Sequence, residues 1–405
     1  MKILQINAVY GISSTGRTTM ELDRYLQSHG VESIVAVTKT NTPREGLYLI
    51  GNKFDRYLHG FLSRLTGLQG HFSRGATRKL IEFIRQEKPD VAHLRNLHGN
   101  YIHFPMLMQY LIEAKIPIVV TLHDCWFFTG KCCHYTEDHC DKWKAHCGKC
   151  PALQKWNNSW FFDCSAKMLA EKKRLFSQVE KLAVVGVSDW ITNEARQSIL
   201  KDSFVIQRIY NWIDLKTFSP QDGMALRSRL GLEGKFVILG VAQSWSNSKG
   251  LSVFVQVARK RPDWKFVLVG GVADRSLLPA NVICVGVTSS VKELAEYYSM
   301  ADVLLNPSIQ ETFGKTTAEA IACGTPVVGY AATATPELIG NGCGEVLELD
   351  CPLEQFVQAL EKVEKQGKSA YSEKCLEFSR RSFDKEELIK QYLGLYKALC
   401  SDENG

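Results

Sequence analysis

No stretch of the 405-residue sequence approaches about eighteen uninterrupted apolar residues, the length that a membrane-spanning helix needs. The first residues, 1–7, also lack the pattern of a cleavable signal peptide and instead predict a strand. Histidine is absent after His146, although the chain contains 10 histidines, so the two halves of the chain differ chemically. These absences predict a cytoplasmic protein without a membrane span.

The composition that remains is typical of globular enzymes, with 45% hydrophobic and 23% charged residues. The length is sufficient for two domains of ordinary size, each with its own core. The net charge of +6 is modest. It is compatible with anionic substrates or acidic lipids, but it does not by itself favour nucleic acid as a partner.

The most informative segment covers residues 307–326. An apolar run before it predicts a buried strand, and a glycine-containing turn then leads into a helix predicted to open near Thr316. Glu311 and Glu319 lie on either side of this turn with seven residues between them. A helix N-terminus suits a phosphate, and a carboxylate one turn into the helix can accept two ribose hydroxyls. The alternative is that Glu319 is a solvated first-turn glutamate.

This segment resembles the signature of retaining GT-B glycosyltransferases of family four, which transfer a sugar from a nucleotide-sugar donor. The Phe313-Gly314 pair and the run Glu-Ala-Ile-Ala-Cys-Gly-Thr-Pro-Val-Val from Glu319 both fit it. The resemblance implies an α/β fold of two Rossmann-like domains facing across a cleft, with the donor on the C-terminal domain. It also implies that Glu319 binds the ribose of the donor and that Glu311 lies beside the donor sugar.

The same resemblance assigns the donor diphosphate to Lys249 and to the helix N-terminus at Gly314, Lys315 and Thr316. Relatives commonly have an arginine five residues before the Lys-Gly pair, where this chain has Ser244. Another cation must therefore supply the missing charge, and Lys315 is the candidate. The expected donor is a UDP- or GDP-sugar, and the resemblance implies no catalytic divalent ion.

The N-terminal half opens with a strand predicted over Lys2–Val9, a Gly/Ser-rich turn and a helix from about Arg17 to Ser28. This order is the start of a nucleotide-binding α/β unit, although the G-x-G-x-x-G fingerprint of dinucleotide-binding proteins is absent. By resemblance, Thr15 and Gly16 face the donor phosphates. The alternative is that Gly16 is an ordinary glycine in a left-handed turn.

Two later strands are also followed by polar loops, which is where open α/β sheets bind their ligands. Asn96 and His98 follow a strand predicted over Asp90–Leu94, and we interpret them as candidates for the cleft. His123 follows the strand Ile118–Leu122. The resemblance implies that His123 hydrogen bonds to the donor sugar, with a buried structural histidine as the alternative.

Seven of the 13 cysteines fall between Cys125 and Cys164. In a reducing compartment such clustering favours a metal site over disulfides. A C-x6-C-x6-C-x2-C spacing joins Cys133, Cys140, Cys147 and Cys150, and its closing C-x-x-C can fill two corners of a tetrahedral zinc site. Reduced thiols and disulfides remain alternatives, and the substitute ligands are Cys132, His134, His139 and His146.

Four thiolates leave no open coordination position, so a zinc ion held by them would be structural. Its predicted role is to stiffen an insertion over residues 125–164, on the acceptor side of the cleft. The H-D-C-W-x-x-T-G and C-x-x-C-P features of this insertion resemble a bacterial polysaccharide-biosynthesis branch of the family.

The predicted interdomain crossing lies at Asn211–Asp214, where Trp212 replaces the glycine that is usual in the family. The predicted domains are an N-terminal acceptor domain over 1–215, a donor domain over 216–382 and a C-terminal helix over 383–405 that returns to the first domain. Basic and apolar residues mix over 54–88, which predicts either a surface that contacts an anionic membrane or a solvated helix face.

The sequence therefore predicts a retaining glycosyltransferase that acts on a glycan or lipid-linked acceptor in cell-surface polysaccharide synthesis, at the inner face of the membrane. One alternative is a nucleotide-sugar 2-epimerase of GT-B shape, which would need further acid/base carboxylates. Another is a non-enzymatic zinc-module binding protein. Nucleic acid is not predicted as a partner, because Glu137, Asp138 and Asp141 interrupt the cysteine segment where a basic stripe would be needed.

Overall fold

The computed structural model describes residues 1–401, which divide into two compact units. Unit 1 comprises Met1–Ile209 and the segment from Ile389 onward, and unit 2 comprises Tyr210–Leu388. The sequence places the corresponding boundaries at 215/216 and 382/383 instead. Within residues 1–401, no helix combines the length and the apolar character needed to cross a membrane.

Unit 1 begins with alternating strands and helices. The strands are β1 (Lys2–Ile6), β2 (Val9–Tyr10), β3 (Glu32–Val37), β4 (Lys39–Thr40), β5 (Tyr48–Leu49), β6 (Val91–Leu94), β7 (Ile118–Leu122), β8 (Leu182–Gly186) and β9 (Val205–Arg208). The helices are α1 (Ser13–Ser28), α2 (Lys53–Thr66), α3 (Arg74–Glu87), α4 (Phe104–Glu113), α5 (Ser165–Phe176) and α6 (Asp189–Arg196). Short 3₁₀ turns in the cysteine-rich insertion cover Thr136–Asp138 and Lys142–Lys144.

The main sheet of unit 1 has the strand order β5-β3-β1-β6-β7-β8-β9, and its neighbouring strands pair in parallel. Every residue of β6, β7 and β8 is buried, which explains their apolar runs, because parallel strands are covered on both faces. The strand order reverses direction between β1 and β6. The short strands β2 and β4 form a separate pair beside it.

Unit 2 repeats this plan. Its strands are β10 (Val237–Ser244), β11 (Lys265–Gly271), β12 (Val282–Gly286), β13 (Val303–Asn306), β14 (Val327–Tyr330) and β15 (Gly344–Leu347). Its helices are α7 (Met224–Arg229), α8 (Leu251–Lys260), α9 (Val291–Met300), α10 (Lys315–Ala322), α11 (Thr335–Ile339), α12 (Leu353–Gln366) and α13 (Ser369–Phe383), and α14 (Lys385–Cys400) then enters unit 1. Short 3₁₀ turns cover Asn247–Lys249 and Arg275–Leu277.

The parallel sheet of unit 2 has the order β12-β11-β10-β13-β14-β15, which is the Rossmann order of six strands. The order reverses between β10 and β13. In open sheets of this kind the loops after the two strands at the reversal diverge and leave a crevice for a ligand. The loops after β10 and β13 are therefore the place to look for a site in unit 2.

Hydrogen bonds from buried side chains join α14 to the sheet of unit 1. His93 on β6 lies 2.7 Å from the Tyr396 hydroxyl and 2.7 Å from the Thr121 hydroxyl on β7. Thr121 is in turn 3.1 Å from the Tyr392 hydroxyl. Burial lowers the pKa of His93 well below its usual value, so the ring is neutral and can donate one hydrogen bond and accept another.

Three element boundaries differ from the sequence predictions. The predicted first strand is two strands, β1 and β2. The first helix begins at Ser13 instead of near Arg17, and the basic region 54–88 contains two helices separated at Gly67. Gly67 takes a left-handed conformation with φ of 74°, which ends α2 in the way that glycine commonly ends helices.

Candidate functional site

The loops after β10 and β13 meet through an ion pair. Lys249 Nζ lies 2.7 Å from Glu311 Oε1, so the structure brings together two of the three predicted catalytic residues. Lys249 ends the 3₁₀ turn that follows β10, and Glu311 lies five residues beyond the end of β13. The lysine side chain is 41% exposed. It is therefore held in a defined place while its charge stays accessible to a ligand.

Close packing of the backbone supports this pair. Gly250 has φ of 76°, and a Cβ at this position would lie only 2.3 Å from Pro307 Cγ and 2.5 Å from the Pro307 carbonyl oxygen. Both the left-handed conformation and the lack of space require glycine here. The residue after Lys249 thus fixes the distance between the two loops.

The main chain of Glu311 is held by the loop after β14. Its N–H donates to the Thr333 hydroxyl over 2.9 Å, and its carbonyl accepts from the Ala334 N–H over 3.1 Å. Thr333 itself has a positive φ of 50°. Thr333 could not be identified from the sequence, since nothing local marks a threonine whose partner is a backbone group on another loop.

Helix α10 begins directly after Gly314, with Lys315 and Thr316 as its first two residues. Gly314 is in the left-handed conformation at φ of 84° and has no side chain to accept hydrogen bonds from the first N–H groups. These groups and the positive end of the helix dipole suit an anion. Ser244, the residue in place of the usual arginine, is exposed at the end of β10.

Glu319 lies in the second turn of α10 and is 4% exposed, which excludes the solvated first-turn glutamate. The Tyr298 hydroxyl on α9 donates to Glu319 Oε2 over 3.0 Å. An ionised carboxyl only accepts hydrogen bonds, and this bond fixes the orientation of the Glu319 carboxylate. Tyr298 is a positioning residue that the sequence analysis missed.

In unit 1, Gly16 lies inside the first turn of α1 rather than in the preceding turn. It is Gly11, with φ of 72°, that takes the left-handed conformation. The alternative proposed for Gly16 is therefore wrong. A Cβ at Gly16 would lie only 3.0 Å from Val9 Cγ2, so α1 packs closely against β2 at this glycine. The carbonyl of Thr15 accepts from the Asn7 amide and from the Thr19 hydroxyl.

A half-buried cluster joins the loops after β6 and β7. His98 Nε2 lies 2.7 Å from Asp124 Oδ2, and Cys133 Sγ lies 3.8 Å from both ring nitrogens of His98. Burial raises the pKa of Asp124, but the charge of His98 and their hydrogen bond outweigh it and lower this pKa to about 2. Burial lowers the pKa of His98, but Asp124 and Cys133 outweigh this effect and raise the pKa well above its usual value.

The other predicted residues of this edge lie on the same loops. His123 is half-buried directly after β7 and next to Asp124. The N–H of Asn96 donates to Asn7 Oδ1 over 3.3 Å. Among residues 1–401, one group of potential metal ligands has all its ligand atoms within 4.8 Å of one another, and it consists of His98, Asp124 and Cys133. The ion pair already satisfies the histidine and the carboxylate, so we interpret the set as an ion pair with a neighbouring thiol.

In the cysteine-rich insertion the structure places Cys132, rather than Cys133, beside the later cysteines of the segment. Cys133 faces His98, whereas the Cys132 thiol hydrogen bonds to Cys150. A small cavity of about 20 Å³ is lined by Cys132, Cys140, Cys147 and Cys150 among others. Consecutive side chains of the segment therefore point to different neighbours.

Backbone donors point at two of these sulfurs. The hydrogen bond from Cys132 and the Ala152 N–H oppose burial and lower the pKa of Cys150 to about 7. Burial raises the pKa of Cys147, with the Gly130 N–H acting in the opposite direction. Lys131 Nζ also donates to the carbonyls of Ala152 and Leu153 over 2.9 and 2.7 Å. The loop around the cavity is thus closed by hydrogen bonds at several points.

Two family descriptions match the chain. The family described as Glycosyltransferase Family 4 matches residues 15–217, and the one described as Glycosyl transferases group 1 matches residues 235–366. The first match alone covers half of the sequence. The chain belongs to glycosyltransferase family 4. The resemblance recognised in residues 307–326 is thereby confirmed.

Relatives of this glycosyltransferase-family chain include D-inositol 3-phosphate glycosyltransferase of Mycobacterium sp. (strain KMS), 30% identical over 150 residues, which are 34% of each protein. The match thus spans about a third of the length of that relative. The putative colanic acid biosynthesis glycosyl transferase WcaC of Escherichia coli (strain K12) is 22% identical over 324 residues, or 78% of each protein.

Solved structures match the chain over nearly its whole length. Sucrose-phosphate synthase from Thermosynechococcus elongatus has a TM-score of 0.69 at 16% identity, covering 98% of this chain and 99% of that one. Anabaena HepE in complex with UDP and glucose has a TM-score of 0.67 at 15% identity, covering 98% and 100%. These similarities, together with the two parallel sheets, confirm the predicted GT-B fold class.

Proposed function

We propose that the protein is a retaining glycosyltransferase that moves a sugar from a UDP- or GDP-sugar to a glycan or lipid-linked acceptor in cell-surface polysaccharide synthesis. The observation that carries this proposal is the Lys249–Glu311 ion pair at the strand-order reversal of unit 2, the position where open sheets bind ligands. The name of WcaC supports the polysaccharide role, and HepE complexes with UDP and UDP-glucose support the donor class.

In this proposal the donor diphosphate binds Lys249, Lys315 and the N–H groups that follow Gly314. The phosphates replace Glu311 as the partner of Lys249, which frees the Glu311 carboxylate for the donor sugar. The ribose hydroxyls donate to Glu319, whose orientation Tyr298 maintains. Lys315 supplies the positive charge that Ser244 does not.

The proposed reaction retains the configuration of the anomeric carbon without a glycosyl-enzyme intermediate. The nucleotide leaves from the face that the acceptor attacks, and the leaving phosphate takes the proton of the acceptor hydroxyl. The protein stabilises the charge that develops on the phosphates, and groups fixed in advance are effective in this role. Among the remaining predicted residues, His123 hydrogen bonds to the donor sugar, and Thr15 and Gly16 face the phosphates.

We also propose that the insertion holds a structural zinc through Cys132, Cys140, Cys147 and Cys150. The spacing C-x7-C-x6-C-x2-C ends in the C-x-x-C that the sequence analysis identified. These four cysteines line a cavity of about 20 Å³ together with other residues, and their sulfurs would have to draw together around the ion, since among residues 1–401 only His98, Asp124 and Cys133 have ligand atoms within 4.8 Å of one another. The N–H groups of Gly130 and Ala152 favour the thiolate forms that zinc requires.

The proposal is tested with a panel of nucleotide sugars. We expect one UDP- or GDP-sugar to raise the melting temperature of the protein, and its transferred sugar to keep its anomeric configuration in the NMR spectrum of the product. Protection by no nucleotide sugar would contradict the donor assignment. A product of inverted configuration would contradict retention while leaving the donor site in place.

A further inference from the structure

Helix α2 has its apolar side turned outward. Phe54, Tyr57, Leu58 and Phe61 follow the i, i+3, i+4, i+7 spacing of one helix face, and all four are exposed, Phe54 by 71% and Tyr57 by 78%. The residues that α2 buries are His59, Gly60 and Ser63. In a globular protein such an apolar stripe normally faces the core. The exposed stripe of α2 therefore indicates a contact outside the chain.

The cysteine-rich insertion extends this stripe with three consecutive aromatic residues. Trp160, Phe161 and Phe162 are exposed, Phe161 by 66%. The Trp160 ring contacts the Phe61 ring edge-to-face at a centroid distance of 5.8 Å. The backbone N–H of Trp160 donates to the Arg64 carbonyl over 2.7 Å. Two segments far apart in sequence thus form one continuous apolar area. We call the seven residues of the stripe and the insertion the aromatic surface.

The close packing of these two segments is specific. Gly67 ends α2 in the left-handed conformation, and a Cβ there would lie 2.2 Å from the Phe162 carbonyl oxygen. The Ser159 hydroxyl also donates to that carbonyl over 2.7 Å. The insertion is therefore held in place by its backbone, while the rings of Phe161 and Phe162 point away and cover little of the protein.

Cations border the aromatic surface. A groove of about 590 Å³ beside Tyr57 is lined by Lys39, Lys53 and Arg56. Arg64 is exposed at the other end of α2. The acidic residue of α2, Asp55, is occupied in a capping box, in which it accepts from the Asn52 N–H over 2.9 Å. Lys39, Lys53, Arg56 and Arg64 outnumber the carboxylates of Asp55 and Asp163, so the net charge beside the aromatic rings is positive.

We propose that the aromatic surface docks onto a lipid bilayer that contains acidic headgroups. Aromatic side chains beside lysine and arginine suit the boundary between headgroups and acyl chains, where rings are buried and cations meet phosphates. The groove lined by Lys39, Lys53 and Arg56 lies at headgroup level when the rings enter the bilayer. This inference does not depend on the proposed transferase reaction, although it would bring the protein to a surface that carries lipid-linked acceptors.

Vesicle flotation tests the proposal directly. We expect the full-length protein to float with vesicles of phosphatidylcholine and phosphatidylglycerol, and to float much less with phosphatidylcholine alone. The double variants Phe54→Ser/Tyr57→Ser and Phe161→Ser/Phe162→Ser should each weaken binding by about tenfold or more, because each removes two rings from the contact. Lys53→Gln/Arg56→Gln should reduce mainly the preference for phosphatidylglycerol.

The matched control is Met224→Ser/Val287→Ser, which removes two exposed apolar side chains from unit 2 and should leave vesicle binding unchanged. Thermal unfolding of every variant confirms that it folds. Wild-type protein that fails to float with acidic vesicles, or aromatic variants that float equally well, would overturn the proposal. A dimer that forms without vesicles and is lost in the aromatic variants, with no flotation, would assign the surface to a second copy instead. None of these results would alter nucleotide binding, which is measured separately.

Discussion

The two units reverse their strand order in the same way, yet the ion pairs at these reversals differ in accessibility. In unit 2 the side chain of Lys249 is 41% exposed and pairs with Glu311. In unit 1 the side chain of His98 is 21% exposed and pairs with Asp124, whose pKa is lowered to about 2. The cation of the pair in unit 2 is therefore more exposed than the cation of the pair in unit 1, whereas Glu311 and Asp124 are exposed to a similar extent, 16% and 15%.

This difference is consistent with the proposed binding role of the pair in unit 2 and with a structural role of the pair in unit 1. In the proposed function a diphosphate replaces Glu311, and the exposure of the Lys249 side chain leaves room for this exchange. By contrast, opening the His98–Asp124 pair would leave two charged groups without their main partners in a largely buried place, which costs free energy. The pair instead fixes the loops after β6 and β7, from which His123 and the cysteine-rich insertion extend.

The largest expected effect is the loss of the proposed zinc ion from the cysteine-rich insertion of unit 1. Metal analysis of wild-type protein should give about one zinc per chain, because four thiolates form a closed site. Cys132→Ser should lose the zinc and strongly destabilise the insertion, whereas the matched variant Cys133→Ser should keep it. Zinc loss only in Cys133→Ser would restore the ligand set predicted from sequence. A wild-type protein without zinc would contradict the zinc site and favour the alternative that the cysteines are reduced thiols.

The next largest effect should follow loss of the accessible cation in unit 2. Lys249→Met should weaken binding of the donor nucleotide by about 2 kcal/mol, or roughly thirtyfold, because a charged hydrogen bond to phosphate is lost. Isothermal titration calorimetry with UDP and GDP measures this change. Lys260→Met is the control, because Lys260 is an exposed lysine of the same unit that pairs with Glu354. Equal affinities for wild type and Lys249→Met would remove the phosphate assignment.

Breaking the His98–Asp124 pair should affect stability instead of nucleotide affinity. His98→Ala should lower the free energy of unfolding by about 2–3 kcal/mol, because Asp124 keeps its burial and loses its main partner. Urea unfolding measures the change, and calorimetry on the same variant shows whether the nucleotide still binds. A variant as stable as wild type would mean that the pair contributes little.

The same pair predicts a pH dependence. The pKa of Asp124 is lowered from 3.8 to about 2, so its contribution of about 2 kcal/mol is present above pH 3.8 and is lost as the pH falls towards 2. The pKa of His98 is raised above 6.5, so its contribution is complete below pH 6.5 and is lost as the pH rises through the folded-state value. Asp124→Asn should flatten both dependences in urea unfolding. Parallel curves for the two proteins would contradict this.

The smallest effect concerns the group that orients Glu319. Tyr298→Phe should weaken nucleotide binding by about 1 kcal/mol, or roughly fivefold, because one neutral donor is removed while the ring stays in place. Tyr297→Phe is the matched control on the same helix, since it removes a hydroxyl from the neighbouring position. A larger effect of the control would show that the packing of α9 matters more than the hydrogen bond.

The sequence predicted the structure best where the pattern that indicates an element lies within that element. The apolar run, turn and helix around Glu311 and Glu319 predicted the elements that hold them, and the Lys-Gly pair predicted Lys249. The strand order could be anticipated because successive β–α units have few topologies. The partners of these side chains were less predictable, since Tyr298 and Thr333 reach the site from other elements.

Unit 1 was harder to predict because its chemistry lies in irregular segments. Spacing alone cannot distinguish Cys132 from Cys133, because a loop has no period that assigns adjacent side chains to one direction. The outward stripe of α2 has the same pattern as an inward one, and only the fold shows which side is covered. The left-handed turn proposed as the alternative for Gly16 was wrong because α1 begins earlier than the sequence predicted.

The claim on which the account depends is that a nucleotide binds unit 2 with its ribose on Glu319. Isothermal titration calorimetry of Glu319→Ala with UDP and GDP tests it most directly. The account predicts that the heat of binding seen with wild-type protein disappears in this variant while thermal unfolding shows that it remains folded. Unchanged affinity in a folded Glu319→Ala protein would contradict the account.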